Sequence, residues 1–71
     1  MEWVWWVMKN NIQKVLNEKN MTIAELGRRT GLHYGHLYGV VTKEDLSEVQ
    51  IKTLKKIAEA LNVNVEDLFE I

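Results

Sequence analysis

Residues 22–42 place two short apolar helical stripes on either side of a single glycine, and this constrains the fold more than any other feature of the chain. Thr22 is positioned to cap a helix, with Glu25 three residues later completing a capping-box pattern. Leu26 faces inward, with Gly27 beside it where a second helix would cross closely. Gly31, inside Thr30-Gly31-Leu32, tolerates the positive φ of a sharp turn. A further helix over 33–41 then buries Leu37 and Val40. Two helices so short cannot bury both stripes alone, so the rest of the chain must supply the core.

The flanking segments supply it with the same period. Ile12, Val15, Leu16 and Lys19 form one stripe of a first helix over 9–19, which Asn20 ends. A polar loop, 42–47, leads to the longest helix, where Ser47 and Gln50 have capping-box spacing and Ile51, Leu54, Ile57, Ala58 and Leu61 form the stripe. Asn62 stops it, and Asn64 caps a last helix over 65–70 that contributes Leu68 and Phe69, with Glu66 and Asp67 in the first turn. The expectation is an all-α domain of five helices over residues 9–71, preceded by an apolar segment at 1–8. No proline interrupts this arrangement, and the chain has no cysteine for disulfides or thiolate metal sites.

Residues 1–8 are of another kind. Trp3, Val4, Trp5, Trp6 and Val7 have strand-favouring composition. An apolar strand at a terminus needs cover, from the last helix or from its twin across a dimer axis. Equally, native translation could begin at Met8, since MKNNIQKVL is an ordinary start. The apolar run is far short of a membrane span of ~20 residues, and no secretory leader is evident. A cytoplasmic protein associated with the nucleoid, without membrane contact, is the expectation.

The net charge of −1 hides an asymmetry. Residues 9–43 carry six bases against Glu18 and Glu25, while residues 44–71 carry three lysines against seven acids. The front half suits a polyanion and the back half does not.

The small residue, the turn glycine and the two pinning apolar positions together have the spacing of a helix-turn-helix, whose second helix projects its other face outward. Here the chain resembles the Cro and lambda-repressor-like helix-turn-helix family (xenobiotic-response-element type) of phage and bacterial transcriptional regulators. The resemblance covers residues 11–69 and rests on MTIAELGRRTGL (21–32) and LKKIAEALNVNVEDLF (54–69). It implies a five-helix lambda-repressor-like fold, with the third helix as the reader of double-stranded DNA. His33, Tyr34, His36 and Tyr38 would then reach base edges, while Thr22, Thr42 and Lys43 would meet phosphates. It also implies a homodimer on a palindromic operator, for which Leu68, Phe69 and Ile71, joined by Trp3 and Trp5, are the candidate surface.

Two departures from the family's pattern stand out. Ile23 occupies the position after the capping threonine, where many relatives carry glutamine, and the third helix presents no Arg, Lys, Asn or Gln outward. A protein-interaction module that kept the fold, such as an antitoxin or anti-regulator, is therefore the alternative to a sequence-specific repressor. His33 and His36 lie three apart, but no third ligand accompanies them, so solvent-facing histidines account for them better than a metal site. No nucleophile–base pairing or glycine-rich phosphate cradle indicates an enzyme, and nothing indicates a cofactor or a small-molecule effector.

Overall fold

The computed structural model describes residues 8–70. Four α-helices, α1 (Ile12–Glu18), α2 (Ile23–Thr30), α3 (Tyr34–Thr42) and α4 (Ile51–Leu61), are followed by a 3₁₀ turn (Val65–Leu68). Two short strands, β1 (Lys9–Asn10) and β2 (Phe69–Glu70), bring the two ends of the domain together. The expectations for the apolar segment 1–7, with Trp3 and Trp5, and for Ile71 lie outside the described residues.

The core is entirely apolar. Ile12 and Leu16 of α1, Leu26 of α2, Leu37 of α3, Leu54 and Ile57 of α4, and Leu68 are all fully buried. Leu46, from the loop before α4, joins them, although it lies in no periodic stripe. Complete burial of one such side chain contributes about 1.5–3 kcal/mol, so these few residues dominate the stability of so small a domain.

The turn residues behave as the sequence implies. Gly31 ends α2 with φ 75°, and Asn20 and Asn62 adopt φ 54° and 59° after α1 and α4. Thr22 Oγ1 accepts the Glu25 N–H at 3.1 Å, a cap typically contributing about 1 kcal/mol. At Gly27 a Cβ would stand 3.4 Å from the Leu32 carbonyl oxygen and 3.6 Å from Leu37 Cδ1, in van der Waals contact with both, so the two helices cross closely there.

Three expectations are corrected. The first helix begins at Ile12, not Lys9, because Lys9 and Asn10 pair antiparallel with Glu70 and Phe69. For the same reason the fifth helix is a single 3₁₀ turn. At Phe69 the chain extends to φ −150°, and the Leu68 carbonyl accepts the Asn11 N–H at 2.9 Å. Ser47 does not cap α4, whose N-cap is Gln50. Instead Asp45 accepts the Ser47 N–H and hydroxyl at 2.9 and 2.8 Å, together with the Met8 N–H at 3.0 Å. Those bonds favour the ionised form and hold the Asp45 carboxyl below its ordinary value, the Ser47 N–H contributing most.

Candidate nucleic-acid interface

Helix α3 is held at both ends by side chains. At its start His33 Nδ1 accepts the Gly35 N–H at 3.1 Å. That nitrogen is thereby an acceptor, which leaves Nε2 with the proton in the neutral ring. Gly35 leaves room for this fold-back, since a Cβ there would lie 3.3 Å from His33 Nδ1. At its end the Asn10 carboxamide nitrogen donates to the carbonyls of Val40, Val41 and Lys43 at 2.9, 2.9 and 2.7 Å. The Asn10 oxygen accepts the Ile12 N–H at 2.8 Å. One asparagine thus satisfies carbonyls at the end of α3 and an N–H at the start of α1, where such groups lack helical partners.

Leu37, Val40 and Val41 pin α3 to the core and turn its other side outward. Tyr34 and Tyr38, one turn apart, are each 53% exposed, with ring centroids 6.3 Å apart and ring planes inclined by 24°. Gly35 and Gly39 lie beside them, and no charged side chain occurs along the helix. His33 and His36 instead border the groove between α3 and α4, opposite Lys52 and Lys56. His36 also borders the adjoining groove that reaches Lys43. The four residues expected at base edges therefore divide into a tyrosine face and a histidine flank lined with lysines.

The expected phosphate contacts differ in readiness. Thr22 accepts a backbone N–H and so keeps its own O–H to donate. The Thr42 hydroxyl donates to the Tyr38 carbonyl at 2.7 Å, so it must rotate before it can serve a phosphate. Lys43 is exposed immediately after α3. Lys52 and Lys56, which the sequence reading does not single out, line a groove that the first turns of α4 share with the start of α3. Their four-residue spacing on one helix was the available signal. Arg28 and Arg29 are committed elsewhere: both bind the Glu25 carboxylate, Arg29 at 3.1 Å, and lower its pKa, Arg28 more strongly.

Of the residues expected at a dimer surface, Leu68 is wholly enclosed in the domain's own core and has no area to offer a second copy. Phe69 is half-buried in β2. Among the described residues no three His, Asp or Glu side chains gather in a metal-binding arrangement, and no helix is long and apolar enough to cross a membrane.

A buried-core helix pair around a left-handed glycine, with an outward helix flanked by lysines, defines a helix-turn-helix domain. The chain belongs to the Cro/C1-type HTH DNA-binding domain family, which it matches over residues 11–71. It is similar to the SPbeta prophage-derived HTH-type transcriptional regulator YopS of Bacillus subtilis (strain 168), at 43% identity over 61 residues. The match covers 83% of this chain and 78% of the relative. No solved structure matches the chain.

Proposed function

We propose that the protein is a transcriptional repressor, of prophage type like its relative, that places α3 in the major groove of an operator as a homodimer. The observation that carries this reading is the exposed face of α3, bare of charge at its centre and flanked by Lys43, Lys52 and Lys56. In such a division the lysines hold phosphates and fix the register, Tyr34 and Tyr38 meet base edges, and His33 and His36 meet the duplex at the edge of that face. The backbone N–H groups at the start of α2, near Thr22, add a phosphate contact. Dimerisation is expected because a single module buries only about 600–1,000 Å² on DNA, too little for a selective operator. Phe69 and the chain termini are the proposed contact between copies.

The test is selection from randomised duplex DNA, followed by affinity measurements against salt. A palindrome with half-sites about one helical turn apart is expected. With three lysines per subunit on phosphates, log K should fall with log salt with a slope of roughly −5 for the dimer. The Lys52→Ala/Lys56→Ala variant should flatten that slope without changing the preferred sequence. The uncharged α3 and the net charge of −1 also suit a module that binds another protein. If nothing enriches at low salt, the DNA reading fails and a stoichiometric protein partner takes its place.

A further inference from the structure

The DNA-reading role proposed above leaves open which base chemistry an uncharged helix can recognise. In the major groove, guanine is read by bidentate Arg or Lys, adenine by Asn or Gln, and cytosine by carboxylates. None of these occurs between Tyr34 and Thr42. A phenol O–H both donates and accepts, so it fits several base edges and separates them poorly. The one apolar feature a base pair presents in that groove is the C5-methyl group of thymine.

We infer that the paired rings of Tyr34 and Tyr38 select thymine by burying its methyl group, so that methyl contact rather than a hydrogen-bond code sets the operator preference. The two rings are equally exposed and lie in a common, nearly parallel arrangement. Their 6.3 Å separation is close to two base-pair steps of about 3.4 Å, so each ring can meet its own methyl along the groove. Gly35 and Gly39, beside the rings, add no side chain to hold them away from the base pairs. Lys43, Lys52 and Lys56, being off this face, anchor the duplex without competing for base edges.

The test uses the full chain and the duplex it selects from a randomised pool. Each thymine is replaced in turn by deoxyuridine, which removes the methyl and leaves the pairing intact. Burial of one methyl corresponds to ~0.8 kcal/mol, or about fourfold in Kd. Two thymines in each half-site should therefore show about a fourfold loss, and thymines outside the half-sites none. Tyr34→Phe and Tyr38→Phe should keep the effect, because the ring carries it. Tyr34→Ala and Tyr38→Ala should each remove it at one position, and circular dichroism should show both variants folded, since neither ring is buried. A selected operator indifferent to deoxyuridine overturns the methyl inference while leaving the DNA reader intact. A deoxyuridine effect that persists in the double alanine variant also overturns it, because the loss then reflects duplex shape. A pool in which nothing enriches removes both readings.

Discussion

Replacing Gly39 by alanine should make the protein more stable and a worse DNA binder, and the opposed signs make the experiment informative. Gly39 lies inside α3, where glycine is about 0.8–1.0 kcal/mol less favourable than alanine. Nothing in the fold requires the glycine: its φ is ordinary, and a Cβ built there meets no atom within 4 Å. Gly39→Ala should therefore recover nearly the whole propensity difference and raise Tm by about 4–8 °C in a domain of this size. The same methyl projects beside Tyr38 on the face proposed to meet base pairs. Forcing an extra methyl into a well-packed contact costs roughly 1–3 kcal/mol, so operator affinity should fall by about fivefold or more.

Thermal melts by circular dichroism and titrations of labelled operator by fluorescence anisotropy measure the two effects separately. Gly35→Ala is the internal control. Its Cβ would press against the His33 ring, 3.3 Å from Nδ1, so the propensity gain should be offset by a disturbed cap and Tm should hardly rise. If Gly39→Ala lowers Tm, the account of Gly39 as an unobstructed position on the outward face of α3 is wrong. If it raises Tm and leaves affinity unchanged, the Gly39 face does not meet DNA closely.

Asn10→Ala removes two N–H donors shared among three carbonyls and the acceptor for the Ile12 N–H; at about 1 kcal/mol per bond it should cost ~2–3 kcal/mol and lower Tm by about 10–20 °C. Asn10→Asp should be worse still, because it sets a carboxylate against carbonyl oxygens that only accept; a milder effect than alanine in the same melts would refute the cap. Gly31→Ala should cost about 1–2 kcal/mol by denaturant unfolding, and Gly31→Asn less, since asparagine already occupies the left-handed region at Asn20 and Asn62. Asp45, with a folded-state pKa below its unfolded value, stabilises the fold above that unfolded value and loses the contribution as pH falls through the folded one. Asp45→Asn should therefore show a shallower fall in Tm than the parent on acidification below about pH 4, and parallel profiles would exclude a role for its charge.

The helices were legible because their signals are local. Thr22, Gly31, Asn20 and Asn62 act within one turn of the backbone, and the Leu26, Leu37 and Leu54 positions follow from a 3.6-residue period. The ends were not legible, because their conformation is settled by a partner far along the chain. Lys9 and Asn10 would continue α1 by pattern, and Phe69 and Glu70 would continue a last helix. Each pair abandons helix for the other, with Asn11 N–H on the Leu68 carbonyl closing the junction. Leu46 shows the same limit in the core: a lone leucine in a polar loop has no period to announce it.

The candidate site divides along the same line. The outward residues His33, Tyr34, His36 and Tyr38 were legible only through the family resemblance, without their division into a tyrosine face and a histidine flank, whereas Lys52 and Lys56 become flanks only once α4 shares a groove with the start of α3. Asn10 is the sharper case, because asparagine in a sequence is neutral between a turn, a cap and a solvated side chain. Here it reaches 30 to 33 residues ahead to close the C-terminal end of α3. The segment bearing it also gives its Met8 N–H to Asp45 and takes the Leu46 N–H on the Met8 carbonyl at 2.9 Å. The loop after α3 is thus fixed by the residues that precede α1. In a helix with no charged side chain of its own, the position of two neutral rings must be set by the backbone that carries them. Asn10 and Asp45 secure that backbone, so substitutions far from the tyrosines in sequence should alter operator affinity as well as stability.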